Sequence, residues 1–435
     1  MPTDDQEDED AIVNRISMYL CTFTLAVSGG AVLLLPFSII SNEILLSLPK
    51  NYYIQWLNGS LIHGLWNLMS LFSNLCLFVL MPFAYFFLES EGFAGSKKGI
   101  KARVLETFVM LFLLGLLILG IVWVASALID NDAASMESLY DLWEFYLPYL
   151  YSCISLMGGL LLLMCTPVGL SRMFTVMGQL LVKPTILEDL DEQIYCIQLQ
   201  EEAMERRLND PTCMHTQKLQ SFLSPSVLER RKKASAWEKN LLYPIVMLIL
   251  LAGTAISVLL VALNIVYLLV DETALPKGNI GNASLSKFGV AQAVTEIILI
   301  FYLMVSSVVG FYSLRIFQEL TPRKDDTTMT TIIGCCVSIL VLSSALPVMS
   351  RTLGITRFDL LGDFGRFNWL GNFYIVLSYN LLFAVVTTLC LVRKFTSAVR
   401  EELLKALGLD KLNLSNSTTD AESGKHAVNG HQKTQ

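Results

Sequence analysis

A soluble chain of 435 residues would divide into about three domains, but 54% hydrophobic residues and a mean hydropathy of +0.55 point instead to a chain dissolved in lipid. Charged residues make up only 16% and gather in short blocks between apolar runs. The net charge of −7 identifies no partner, because charge on a multi-pass protein acts by side of the membrane, and no nucleic-acid footprint is present.

The chain opens on MPTDDQEDED, acidic where a cleaved secretory leader carries basic residues, so the first apolar run is expected to stay as an anchor. Apolar runs long enough to cross a bilayer follow at roughly 16–39, 61–88, 104–129, 146–170, 242–270, 288–314, 332–350 and 370–392. The fold class expected is all-α: a multi-pass transmembrane bundle of about eight spanning helices with a cytoplasmic coiled-coil-like loop. Its parts would be an acidic cytoplasmic tail over 1–15, four helices within 16–170, a helical loop over 171–241, four helices within 242–392, and a cytoplasmic tail over 393–435.

An even number of crossings places both ends on one side. Of the 31 Lys and Arg, 25 fall in the two tails and the loops 89–103, 171–241 and 315–331, against 6 in the four loops of the other side. Positive charge marks the cytoplasmic side, which puts both termini inside, at the plasma membrane or an endomembrane. Asn58-Gly-Ser and Asn282-Ala-Ser are sequons in loops assigned to the outside; Asn58 lies close to the second helix, which leaves Asn282 the better acceptor. Asn413 and Asn416 head sequons in the cytoplasmic tail and should be silent.

In the second run His63, Asn67, Ser70 and Asn74 follow a 4-3-4 spacing, which gathers them on one helical face. Lipid disfavours such a face. It is expected to look into the bundle, as interhelical hydrogen-bond glue or, less commonly, as the lining of a pathway. Glu296, early in the sixth run, is the one carboxylate at candidate depth, although a later helix start would leave it at the interface. Ser306 and Gly310 form a small-xxx-small pair suited to packing two helices within the chain. Six prolines, among them Pro82, Pro167 and Pro347, fall in or at the starts of the runs, where they kink helices.

The loop 171–241 carries a capping box at Thr185 and Glu188, and behind it Leu187, Leu190, Ile194, Ile197, Met204 and Leu208 keep a heptad-like spacing. Arg230, Arg231, Lys232 and Lys233 close the loop; they suit membrane lipid or a cytoplasmic partner of this loop, and most simply the charge that holds it inside. After the last run, RKFTSAVREELLKAL sets Phe395, Val399, Leu403 and Leu407 on one side of a helix expected to lie along the inner leaflet.

Residues 356 to 374, TRFDLLGDFGRFNWLGNFY, bring charge close to two spanning runs. A short helix over 358–368 would put Leu360, Phe364 and Phe367 on one face and Asp359, Asp363 and Arg366 on the adjacent one, while Gly362 and Gly365 also allow a re-entrant turn. The segment is expected to be a lid fixing the last two helices, or an outside ligand contact through Arg357, Asp363 and Arg366.

Enzyme signatures are absent. Three of the four histidines lie in polar segments, no His/Glu/Cys cluster has metal-ligand spacing, and neither a phosphate loop nor a nucleophile elbow occurs, so no catalytic residue, cofactor or metal is expected. Seven of the nine cysteines sit in apolar runs as packing residues, and Cys196 and Cys213 fall in the cytoplasmic loop, so no structural disulfide is expected.

The strings LLLPFSIISNE (33–43), NYYIQWLNGSLIHGLWNL (51–68), FFLESEGFAG (86–95), SLYDLWEFYLPYLYSCISL (138–156), FYLMVSSVVGFYS (301–313) and RFDLLGDFGRFNWLGNFYIV (from 357) resemble the lipocalin-interacting membrane receptor family, and VNGHQK near the end favours its limb region 1 branch. The resemblance runs from about residue 6 almost to the end. It implies a multi-pass receptor that binds and internalises an extracellular lipocalin-type protein or modulates signalling. A more distant relative in lysosomal cobalamin export implies the alternative, a small-molecule or cofactor transporter; a non-enzymatic membrane scaffold is the third reading. Against the family pattern the chain lacks a further N-terminal helix and has a shorter loop around 209–228, which an isoform or an incomplete gene model would explain.

Two outcomes follow from charge and sequons. Epitope tags at both termini should be reached by antibody only after permeabilisation; labelling of either on intact cells would overturn the assigned sidedness. Asn282→Gln should abolish a glycosidase-sensitive shift in gel mobility, and Asn413→Gln should leave it unchanged.

Overall fold

A computed structural model describes residues 4–48, 50–90, 99–129, 137–181, 241–270, 289–323, 327–356, 358 and 372–406. Eight of its helices are long and apolar enough to cross a membrane. They are α1 (Asp4–Ser47), α2 (Gly59–Leu75, continued through a π-helical turn Cys76–Leu80 into Met81–Glu89), α3 (Ile100–Ile129), α4 (Glu137–Leu180), α5 (Tyr243–Val270), α6 (Gly289–Ser313), α7 (Met329–Thr352) and α8 (Phe373–Ala406). The chain is a multi-pass helical bundle, as its apolar periodicity implies.

Three helices outrun the expected boundaries, α4 among them, which runs from Glu137 to Leu180 and so takes in the first residues of the expected loop 171–241. α1 continues back through the acidic tail to Asp4, because carboxylates at a helix N-terminus complement its dipole. Arg103 at the start of α3 donates from both terminal nitrogens to Asp10 Oδ1 at 3.3 Å, pinning that extension. The amphipathic stretch after residue 392, expected as a separate surface helix, is a direct continuation of α8 to Ala406. No Gly or Pro interrupts the sequence there, so nothing breaks the helix, and Phe395 meets Phe174 of α4 edge-on at 5.6 Å.

The core lies where α4 and α7 cross, with α1, α6 and α8 around them. Lipid tails are as apolar as leucine, so helices associate by close packing and hydrogen bonding, and small residues decide where. A Cβ added at Gly169 would collide with the Ser306 carbonyl oxygen, and one added at Gly310 with the Cys165 carbonyl oxygen. That reciprocal pattern is a backbone-to-backbone crossing of α4 and α6 running in the same direction. One step along, Thr166 Oγ1 meets Ser307 Oγ at 2.7 Å; Ser307 itself donates to the Leu303 carbonyl, so Thr166 is the donor. A second close approach sets Gly158 of α4 against Val341 and Ala345 of α7. α1 and α2 are tied by Trp66 Nε1 donating to Ser38 Oγ at 3.0 Å.

α3 is the outlier. It packs mainly against the last turns of α2, and a Cβ added at Gly115 or Gly120 on it would meet nothing within 4 Å. Exposed Tyr52, Tyr53, Trp56, Tyr267 and Tyr374 ring the end of the bundle opposite the chain termini, the position of an interfacial aromatic belt.

The contrast between glycines is testable. Gly169→Ala or Gly310→Ala should destabilise the purified protein by about 1–3 kcal/mol or more, because the new methyl meets backbone that cannot yield. Gly115→Ala should change stability by no more than about 0.5 kcal/mol. Thermal unfolding of the three variants in one detergent compares them.

Candidate functional site

α7 ends inside the bundle. Its final turn closes with Gly354 at φ +75°, the only described residue with positive φ. Ile355 N–H donates to the Ser350 carbonyl at 2.9 Å and Gly354 N–H to the Arg351 carbonyl at 3.2 Å, a Schellman arrangement that needs glycine at this position. The Thr352 carbonyl is left over. Two asparagines from neighbouring helices reach it: Asn264 Nδ2 of α5 at 3.0 Å and Asn380 Nδ2 of α8 at 2.9 Å, with Asn264 also donating to Asn380 Oδ1 at 3.2 Å.

Asn264 lies six residues inside the end of α5 at Val270, and Asn380 seven inside the start of α8 at Phe373. At 1.5 Å per residue the terminus of α7 therefore sits about 10 Å below those helix ends. Leu353, Ile355, Thr356 and Phe358, all beyond the helix, are buried. Non-helical backbone at such depth is tolerated only when protein covers it, and here protein supplies the bonds: Thr356 N–H donates to the Ser350 carbonyl at 3.2 Å and its hydroxyl to Ser350 Oγ at 3.4 Å. Beside this turn is a cavity of about 20 Å³, lined by Thr166, Ser307, Ser350, Leu346, Ile355 and Phe383. The space suits about one water molecule. The groups gathered here are amides and hydroxyls, which can hold a backbone in place but supply no nucleophile or general base poised for catalysis.

The residues singled out by sequence are dispersed. Asn58 is exposed and caps α2, its Oδ1 accepting from Leu61 N–H at 3.0 Å, which leaves Nδ2, the atom a glycan would occupy, uncommitted by that bond. Asn282, Arg357, Asp363 and Arg366 lie outside the described residues, as does the loop 182–240. The polar face of α2 is divided rather than wholly inward: Ser70 and Asn74 are buried, His63 is half-buried and Asn67 is exposed. The reason is angular. Ile62, Trp66, Ser70 and Ser73 form the centre of the inward face, and at about 100° per residue Asn67 is carried farthest round from it. Glu296 is half-buried on the second turn of α6, where its Oε1 accepts from Gln292 Nε2 at 3.1 Å. Seven residues from the start of α6, it lies about 10 Å from that end rather than at mid-depth. Glu43 closes the same end, its carboxylate against Gly289. Among the described residues no group of three or more His, Cys, Asp or Glu is placed to hold a metal ion.

Sequence reasoning missed Asn264, Asn380 and Gly354. The signal existed: each asparagine is a lone amide in an apolar run, VALNIVY and LSYNLLF, and Gly354 follows Pro347 within the same segment. Nothing in one sequence says that the two amides meet at one carbonyl.

The family model described as LMBR1-like membrane protein matches residues 4–227 and 211–395. The limb region 1 protein homologue of Gallus gallus is 80% identical, the match covering 99% of this chain and 91% of the relative; that of Homo sapiens is 80% identical over 99% and 90%. The protein LMBR1L of Homo sapiens is 65% identical over 94% and 86%. No solved structure matches the chain. With the model match extending through both halves of the bundle and identity of this order across it, the chain belongs to the LMBR1-like membrane protein family.

Proposed function

We propose that the chain is a non-enzymatic, multi-pass membrane receptor, with both termini cytoplasmic, that binds an extracellular lipocalin-type protein through the segment 357–371 and carries it inward. The observation supporting this reading is the anchorage of that segment's root. Thr356, fully buried and bonded to Ser350, directly precedes Arg357 in the chain, and the α7 terminus below it is held by α5 and α8 together. A load on the segment is thus borne by three spanning helices.

A transporter related to cobalamin export would need a continuous polar route wide enough for its cargo. The α2 face is divided, with Asn67 turned out of the bundle, and the cavity beside the α7 terminus is about 20 Å³. Both observations favour the receptor. The loop 171–241 is the natural place for a cytoplasmic partner, and its basic cluster for membrane lipid.

Two variants distinguish ligand contact from structural support. Arg366→Glu should reach the cell surface in normal amounts and lose uptake of a fluorescently labelled lipocalin; retention in the endoplasmic reticulum would mark the segment as a lid instead. Asn380→Leu removes an interhelical donor and acceptor together, and should lower thermal stability by about 1–2 kcal/mol.

A further inference from the structure

We infer that the seam between α2 and α4, at the middle of the membrane, binds a small cluster of internal water molecules. Asn74 stands fifteen residues after Gly59 and fifteen before Glu89, about 22 Å of helix from either end. It is buried, and neither its Nδ2 nor its Oδ1 is bonded to any protein atom. Ser152 and Ser155 of α4 are each 1% exposed, and Ser152 Oγ is likewise without a protein partner. The Tyr151 hydroxyl faces Ser155 on its own helix and Ser70 on α2. α2 and α4 run in the same direction, and the four-residue step from Ser70 to Asn74 equals that from Tyr151 to Ser155, a register that would bring Asn74 level with Ser155.

These serines depart from the habit of the bundle. Ser28, Ser38, Ser70, Thr254, Ser257, Ser307, Ser343 and Ser344 all donate to the carbonyl four residues back, the usual way a hydroxyl is satisfied in lipid. Ser152 and Ser155 do not, and Asn74 makes no bond either. Elsewhere such hydroxyls occur singly, at Ser17, Thr175, Ser306 and Thr387. A second feature marks the same place: the π-helical turn Cys76–Leu80 begins two residues after Asn74. A π turn inserts a residue into the helix and is common beside functional sites.

The chemistry selects water. Burying an amide without a hydrogen bond is costly, and internal waters commonly meet such groups with about three bonds each. Asn74 presents a donor and an acceptor, and each serine hydroxyl can act as either, which is the mixed pattern a neutral water satisfies. An ion would instead call for a set of like-oriented donors or acceptors.

X-ray radiolysis on the microsecond scale, applied to the full chain in lipid nanodiscs and read by mass spectrometry, tests the inference, because a bound water generates hydroxyl radical where it sits. Tyr151, 3% exposed, should be oxidised in the wild type, with exposed Tyr52 and Tyr53 as references for bulk solvent. Asn74→Leu should lose the Tyr151 label while melting at the same or a higher temperature, since it deletes two unsatisfied atoms. Ser155→Ala, a milder change, should reduce the label and decides the matter if Asn74→Leu fails to fold. Absence of label at Tyr151 in the wild type, or a label unchanged in both variants, would overturn the proposal.

Discussion

The contact between bare backbone at Gly169 and Gly310 is the constraint on which the rest of the bundle depends. With no hydrophobic drive between helices in lipid, α4 and α6 hold together because two glycines let their carbonyls come within reach of each other's backbone. The same approach brings Thr166 and Ser307 within 2.7 Å, so neither hydroxyl is left facing hydrocarbon. Gly158 repeats the device one side over and seats α7 against α4. α3, whose glycines meet nothing, stays at the edge, which shows that a small residue alone does not draw a helix in; a complementary one must face it.

Once α7 is seated, its early termination becomes the main polar problem of the interior. Backbone carbonyls at the end of a helix need donors, and water is scarce about 10 Å inside a membrane-spanning bundle. Gly354 resolves part of this by folding the chain back on Ser350 and Arg351, and Asn264 and Asn380 resolve the remainder at Thr352. Three helices are thereby linked at one carbonyl. That carbonyl lies four residues before Thr356, the last described residue ahead of Arg357, so the packing of the core fixes where the chain leaves α7. A Cβ at Gly354 would also run into Asn264, so the turn and its cap are mutually dependent.

How α2 meets the bundle shows why polarity on one helical face is an incomplete guide. Ile62 and Trp66 take the centre of the inward face, and Trp66 spends its N–H on Ser38 of α1. The polar residues are left along one flank, so their fates diverge with angle: Ser70 and Asn74 are buried, while Asn67, farthest round the helix, is exposed.

Spanning number, helical class and the broad positions of the helices were legible in the sequence, because a bilayer of about 30 Å demands a run of apolar residues whatever the helices later pack against. The Ser306 and Gly310 pair was legible as a packing motif, since small residues four apart lie on one face irrespective of the partner. Its partner, Cys165 and Gly169, was not, because the match between two helices depends on their relative rotation and depth. The same limit hid the junction of Asn264, Asn380 and Thr352, whose members are separated by 88 and 28 residues along the chain. The bilayer acts on each segment alone and leaves its mark in composition, whereas a shared hydrogen bond or a backbone contact exists only between segments, and only the folded bundle fixes which of them meet.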